Sequence, residues 1–285
     1  SASSWRAGDA WRRTFRVGRP ITQRASRLRT THVPALLARV RDNRSRQADG
    51  VAIFEVSRVF QARAEGEDAA RDGLPEERWR ATAVLTRASE QRLWEPPATT
   101  PIFFEARGVA ERLVEALGRP IRFARPAQPE PYLHPGAAVD LLGGRQRVGS
   151  VGELHPAVAA RFEIDTACAL IEVELSAVGD LPTRVATYRE VSRHPQVRRD
   201  LAVLLDRGQP VAEVLGAVQK KAGASLAQAL VFDRYEGPGV PEGKVSIAFR
   251  LIYQLPDRTL TDSEVSKATD GVVQMLQQRF GAELR

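Results

Sequence analysis

Four side chains in two neighbouring strand-like runs are of types that bind the bases or phosphates of nucleotides. Tyr235 offers a ring on which a base can stack, and Asp233 can accept hydrogen bonds from the edge of a guanine or cytosine. Ser246 can donate or accept a hydrogen bond, and Arg250 can meet a phosphate. Spacings of two and four residues place each pair on one face of its strand, because strand side chains alternate. This face suits splayed-out nucleotides, but a solvated face or one docked on another domain fits the pattern equally well.

Two further arginines, Arg198 and Arg199, precede the first strand of the same region. Their charge makes them weaker candidates, with Arg250, for contacts to a nucleic-acid backbone.

The region around these residues reads as strand, helix, strand, strand, helix, strand. A capping box, Thr261 with Glu264 three residues later, opens the second helix, and Gly281 ends it. This order is that of the split-βαβ, ferredoxin-like fold. The predicted elements are strands at Asp200–Leu205, Leu226–Glu236, Lys244–Tyr253 and Ala282–Arg285, with helices beginning at Pro210 and after Thr261.

Alternation then assigns faces to these strands. The third strand has a continuously apolar set that must meet the helices, which leaves Ser246, Ala248 and Arg250 on the open face. In the second strand the larger apolar residues Leu230 and Phe232 are predicted to face the core. Val231, Asp233 and Tyr235 are therefore predicted to face outward.

The preceding part of the chain mixes strands with a few long helices, which predicts an α+β domain built on an antiparallel sheet. Residues Ser176–Glu190 lack a periodic pattern and form the predicted domain boundary. The predicted elements are a helix from Thr31, strands at Val51–Phe60 and Ala81–Thr86, an exposed loop at Ala62–Glu77, a helix at Ile102–Gly118, strands at Ala137–Leu142 and Gln146–Leu154 around a glycine turn, a short helix from Pro156, and a strand at Ala167–Leu175.

Composition excludes several function classes. The chain has 285 residues and a net charge of +7, with 12 arginines against three aspartates in residues 1–50, which favours a polyanionic partner. Its lone cysteine, Cys168, excludes an internal disulfide, predicts a buried strand residue and fits a cytoplasmic protein. Phosphate-binding loops, nucleophile elbows and metal-ligand spacings are absent from the sequence, so no catalytic or metal-binding residues are predicted. The four histidines are predicted to be structural.

At this point the chain resembles the C-terminal portion of the β subunit of bacterial phenylalanine–tRNA ligase. Residues 1–20 match this family poorly. The most specific runs are ITQRASRLRTTHVPALL (Ile21–Leu37), SRHPQVRRDLAVLL (Ser192–Leu205), LVFDRYEGPGVPEGKVSIAFRL (Leu230–Leu251) and DRTLTDSEV (Asp257–Val265).

The resemblance implies two domains and a division of labour. Residues 21–185 would form a degenerate, non-catalytic class II synthetase-like domain that packs on the catalytic α subunit of an α2β2 enzyme. Residues 191–285 would form a ferredoxin-fold anticodon-binding domain. Carried over by position, the contacts to the tRNA(Phe) anticodon fall on Asp233, Tyr235, Ser246 and Arg285. ATP and Mg2+ would serve the holoenzyme, and this part of it would bind neither.

Two other functions remain open at this stage. The region could be an assembly module whose open sheet face contacts another protein. It could also be a regulatory domain that binds a small molecule, although the sequence predicts no closed pocket for one.

Overall fold

A computed structural model describes residues 14–20, 26–61, 74–87, 100–183, 188 and 191–285. Contacts within the chain divide it into unit 1, Ser1–Ala186, and unit 2, Thr187–Arg285. Within the described residues, no helix is long and apolar enough to cross a membrane.

Unit 1 is built on a six-stranded antiparallel sheet. Its strands lie in the order β1-β2-β6-β5-β4-β3. Its described elements are α1 (Val33–Arg44), β1 (Ala52–Gln61), β2 (Glu76–Thr86), α2 (Ile102–Leu117), β3 (Ile121–Ala124), β4 (Leu133–Gly143), β5 (Gln146–Leu154), α3 (Pro156–Arg161), β6 (Cys168–Glu174) and α4 (Leu175–Gly179).

Helix α1 packs on one face of this sheet and helix α2 on the other. The apolar side of α1 packs with Val84 and Leu170 in one core, and α2 packs on Ile171 and Val173 in another. Adjacent residues of β2 and β6 therefore enter different cores, as alternation in a strand requires. Cys168 is buried in β6, as predicted, and burial raises its pKa to about 12.

Three details of unit 1 differ from the prediction. The strand predicted at Ala81–Thr86 begins at Glu76, inside the predicted loop, because β2 pairs along the whole of β1. Residues 62–73 of that loop lie outside the described residues. The short elements β3 and α4 were not predicted, since four or five residues are too few to show a period.

Unit 2 is a four-stranded antiparallel sheet with two helices against one face. Its strand order is β10-β7-β9-β8, which confirms the ferredoxin-like arrangement. Its elements are β7 (Val197–Asp206), α5 (Val211–Ala222), β8 (Leu226–Tyr235), β9 (Lys244–Tyr253), α6 (Asp262–Phe280) and β10 (Glu283–Leu284).

The core of unit 2 lies between the sheet and the helices. The apolar set of β9 is buried there, as predicted, with Phe249 and Leu251 fully enclosed and Val272 and Leu276 of α6 against them. Because this face of the sheet is filled, ligands can reach the strands only from the opposite face, which is called the open face below.

The capping box at the start of α6 is formed. The Thr261 hydroxyl accepts a hydrogen bond from the Glu264 N–H at 3.3 Å, and the Glu264 carboxylate accepts one from the Thr261 N–H at 2.9 Å. Arg258 donates two hydrogen bonds to the same carboxylate. Arg258 first, and then Thr261, lower the pKa of Glu264 from 4.5 to about 2.

Replacement of Glu264 by glutamine should lower the melting temperature of unit 2 at pH 7. The carboxylate has a lower pKa when folded, so its charge stabilises the fold above pH 4.5, and this contribution is lost as the pH falls toward 2. The melting-temperature difference between wild type and Glu264→Gln should therefore narrow from pH 7 to pH 3. A difference that stays constant over this range would contradict the assigned role.

Candidate nucleic-acid interface

The open face owes its pattern to an irregularity in β8. Val231 pairs with Phe249 and Asp233 pairs with Ala248, so Phe232 is an extra residue between the two pairs. Such a β-bulge sets two residues of one strand against one residue of its neighbour and shifts the alternation beyond it.

The bulge changes three of the predicted faces. Val231 packs against the helix-side core, whereas Leu230 pairs with Arg250 on the open face. The Phe232 ring is 47% exposed and contacts the Arg250 guanidinium. The predictions for Leu230, Val231 and Phe232 were therefore wrong, because strict alternation cannot count an extra residue.

Asp233 and Tyr235 do lie on the open face, as predicted. Asp233 is exposed and stands opposite Ala248, which in turn pairs with Ala202. No ion pair or hydrogen bond to the Asp233 carboxylate is found among the described residues. Small neighbours and an unengaged carboxylate leave this part of the sheet open to a hydrogen-bond donor.

Tyr235 lies at the end of β8 and is held from three sides. Its hydroxyl donates a hydrogen bond to the Pro238 carbonyl at 3.3 Å, and its ring leaves no room for a Cβ on Gly237. The guanidinium carbon of Arg285 lies 4.8 Å from the ring centre, a cation–π distance. The ring nevertheless remains 37% exposed.

Arg285 reaches Tyr235 from the opposite edge of the sheet. Its N–H donates to the Ala202 carbonyl at 3.1 Å, which continues the pairing of β10 with β7. The side chain therefore extends across the open face above β7 and β9. The order of the strands makes this possible, and no local pattern in the sequence indicates it.

Ser246 is on the open face, but it is buried. It pairs with Tyr235 on one side and Leu204 on the other, and only 5% of it is exposed. The structure thus brings Asp233, Tyr235, Ser246 and Arg285 together, with Ser246 covered in this arrangement.

The three arginines predicted to meet a backbone occupy different places. Arg198 is exposed on the open face, opposite Ile252. Arg199 pairs with Leu251 on the helix side and contacts Asp262 at 3.3 Å, so it does not share the open face. Arg250 is on the open face, and Asp200 accepts two hydrogen bonds from it, at 2.8 and 2.7 Å. These hydrogen bonds lower the pKa of Asp200 and raise that of Arg250.

Buried polar side chains on the sheet of unit 1 form hydrogen bonds and ion pairs with one another. Buried His32 bridges the hydroxyls of Thr82 and Ser57 at 3.0 and 2.9 Å, and burial lowers its pKa. Arg80 pairs with Glu174 at 2.9 Å, and Tyr132 donates a hydrogen bond to Glu172. His134 and His155 each accept a hydrogen bond from a backbone N–H two residues later.

The cavity in this polar region is small. It has a volume of about 100 Å³ and lies beside Arg80, Glu130, Arg147 and Glu172. Small-molecule pockets commonly measure about 300–1,000 Å³, so the cavity has room for a few waters and is too small for ATP. No group of three or more metal-ligating side chains occurs among the described residues.

A second exposed surface lies on β1 and β2 of unit 1. Phe54 is 77% exposed at the edge strand, and Val56 follows it on the same face. Trp79 is 47% exposed and carries Arg58 at 5.5 Å from its ring centre. We call Phe54, Val56 and Trp79 the edge patch. Clustered exposed apolar residues of this kind mark surfaces that contact other molecules.

Comparison with known families defines the class of each unit. Residues 192–285 match the family described as ferredoxin-fold anticodon binding domain. Residues 1–175 match the phenylalanyl tRNA synthetase beta chain CLM domain, and this match includes residues 1–20, where the sequence alone gave little resemblance.

The chain belongs to the phenylalanyl tRNA synthetase beta chain family. It is 37% identical over 275 residues to the phenylalanine–tRNA ligase beta subunit of Moorella thermoacetica, covering 96% of this chain and 33% of that protein. It is 37% identical over 278 residues to the beta subunit of Symbiobacterium thermophilum, covering 97% of this chain and 30% of that protein. The chain thus spans about a third of the length of the curated relatives it matches.

Among solved structures, a pyrrolysyl tRNA synthetase of Desulfitobacterium hafniense aligns with a TM-score of 0.42 and 16% identity, over 58% of this chain and 51% of that chain.

The ion pair between Arg250 and Asp200 gives a direct test of the open-face geometry. Removal of the guanidinium in Arg250→Ala should raise the pKa of Asp200, because the hydrogen bonds from Arg250 are the main cause of its lowering. Arg198→Ala should raise it less, since Arg198 acts only through its charge. Carboxyl NMR titration of the two variants measures both shifts, and an equal rise in both would contradict the pairing.

Proposed function

We propose that this chain is a non-catalytic part of an ATP-dependent phenylalanine–tRNA ligase that works in the cytoplasm. Unit 2 binds the anticodon of tRNA(Phe) through its open face, and unit 1 packs on the catalytic α subunit of an α2β2 enzyme. ATP and Mg2+ serve the chemistry of that partner.

The grouping of Tyr235, Arg285 and Asp233 on one open sheet face carries the RNA-binding proposal. A ring with an adjacent guanidinium offers a base a stacking surface, and the free Asp233 carboxylate accepts hydrogen bonds from a guanine or cytosine edge. Stacking alone tolerates any base, so Asp233 supplies the selectivity in this arrangement. The match of residues 192–285 to anticodon-binding domains supports the same ligand.

Ser246 fits this proposal as a buried residue that becomes accessible when the side chains around it move. Its hydroxyl is buried on the face where Arg285 contacts the Tyr235 ring, so a base entering beside Tyr235 reaches it only when side chains of the open face shift. Arg285 would then contact the nucleotide, either through its plane or through its hydrogen-bond donors.

Removal of the Tyr235 ring should weaken RNA binding. Tyr235→Ala should lose roughly 1–3 kcal/mol of binding free energy for the tRNA(Phe) anticodon stem-loop, as expected for one stacked base. Titration of the full chain with labelled stem-loop measures this loss. Tyr188→Ala is the matched control, because Tyr188 is exposed outside the sheet.

Two results would count against the anticodon proposal. One is equal affinity of wild type and Tyr235→Ala. The other is wild-type affinity for the stem-loop of an unrelated tRNA that equals its affinity for tRNA(Phe).

The edge patch supports the proposal that unit 1 packs on the α subunit. Phe54 and Val56 lie on β1, which is an edge strand of the sheet as far as the described residues go, so a partner can bury the side chains and meet the strand. Residues 1–175 match a domain of a synthetase beta chain, and this name supports the α subunit as the partner.

A charge in the edge patch should disrupt assembly. Phe54→Asp should reduce recovery of the complex when the chain is mixed with purified α subunit, since burial of an unpaired carboxylate costs several kcal/mol. Val191→Asp, another exposed apolar site but in unit 2, should leave recovery unchanged. Loss of RNA binding on adding α to wild type would instead favour the assembly role for the open face.

A further inference from the structure

Phe232 is an aromatic residue that the fold directs toward solvent. Its ring lies on the open face beside Arg250, and 47% of the residue is exposed. The apolar sequence around it would otherwise predict burial in the core. A half-exposed phenylalanine forgoes part of the free energy of burying its ring, so its outward orientation calls for a physical explanation.

A planar cation accompanies the Phe232 ring. The guanidinium carbon of Arg250 lies 4.7 Å from the ring centre, and Asp200 holds that guanidinium by two hydrogen bonds. The carboxylate neutralises Arg250 and fixes its plane. Arg250 is therefore poorly suited to the phosphate contact predicted from sequence, and well suited to supporting a flat ligand.

The open face thus carries two aromatic–arginine pairs, and both of their rings belong to β8. Tyr235 with Arg285 is at one end, and Phe232 with Arg250 is three residues earlier. The unengaged Asp233 lies between them. At a rise of about 3.3 Å per residue, with one residue taken up by the bulge, the two rings are attached roughly 7–10 Å apart along β8.

We propose that Phe232 and Arg250 form a second base-stacking site, for the nucleotide adjacent to the one on Tyr235. This inference rests on the proposed function, because it assumes single-stranded RNA on the open face. Aromatic residues on a four-stranded sheet stack two or three successive bases in other RNA-binding folds, and the separation of the two rings suits neighbouring nucleotides.

The second site should accept any base. Its groups are a phenyl ring and a guanidinium whose Nε and Nη2 already donate to Asp200, so their main contribution to a bound base is planar stacking surface. Selectivity for the anticodon then remains with Asp233 and its neighbours, while Phe232 adds affinity and fixes the course of the RNA.

Fluorescent base substitution tests the proposal on the full chain. 2-Aminopurine is placed at each loop position of the tRNA(Phe) anticodon stem-loop in turn, and its quenching on binding reports stacking. Two adjacent positions should be quenched in wild type. Phe232→Ala should abolish quenching at one of them and weaken binding about five- to a hundredfold, and Tyr235→Ala should abolish quenching at the other.

Two variants of the second site and one outside it sharpen this experiment. Phe232→Tyr keeps the ring and should keep the quenching. Arg250→Lys keeps the charge without the plane and should reduce quenching at the Phe232 position only. Phe104→Ala removes an exposed phenylalanine of unit 1 that has no assigned role and should leave both positions unchanged.

The outcomes separate this inference from the proposed function. If Tyr235→Ala weakens binding while Phe232→Ala changes neither affinity nor quenching, the second site is wrong and the anticodon role stands. If Phe232→Ala and Tyr235→Ala affect the same single position, the two-base arrangement is wrong. If wild type does not bind the stem-loop, the proposed function fails and the second site fails with it.

Discussion

One extra residue in β8 determines what unit 2 can present to a ligand. Without the bulge at Phe232, a regular strand that keeps Val231 in the core would turn Asp233 inward and Phe232 outward. With it, Val231 fills the core while Phe232, Asp233 and Tyr235 all reach the open face. The bulge therefore keeps Val231 in the apolar layer and adds Asp233 and Tyr235 to the open face beside Phe232.

The packing of the helix-side core fixes which side chains of β9 lie on the open face. Phe249 and Leu251 of β9 are enclosed beneath α5 and α6, and their neighbours on the same strand, Ala248 and Arg250, line the open face. Alternation links the two faces, because a shift of β9 by one residue would exchange core and surface side chains. The stability of the core thereby fixes the position of Arg250 and of the small Ala248 floor beside Asp233.

Sequence patterns predicted much of the fold and less of the site, for physical reasons. The capping box of α6 and the apolar alternation of β9 are local signals, and both elements were predicted within a residue or two. The bulge and the burial of Ser246 depend on how strands pair, which no single strand reveals. The prediction placed Leu230 in the core, which was wrong, and counted alternate residues from there. Asp233 and Tyr235 were nevertheless assigned to the correct face, because the extra residue in the bulge cancelled the error. The place of Arg285 came from the family resemblance and not from any pattern in its own segment.

Arg285 differs from the buried Arg80 of unit 1 in what holds it, and this contrast bears on where an RNA ligand would bind. In unit 1, Arg80 is paired with Glu174 beside a cavity of about 100 Å³, so its charge is satisfied within the protein. In unit 2, Arg285 rests on an exposed ring with no carboxylate partner among the described residues. A guanidinium held only by a cation–π contact of about 0.5–1 kcal/mol can move aside or turn to a nucleotide at small cost, whereas breaking a buried ion pair costs about 3–5 kcal/mol. The open face is therefore ready for an anionic, planar ligand, and the interior of unit 1 is not.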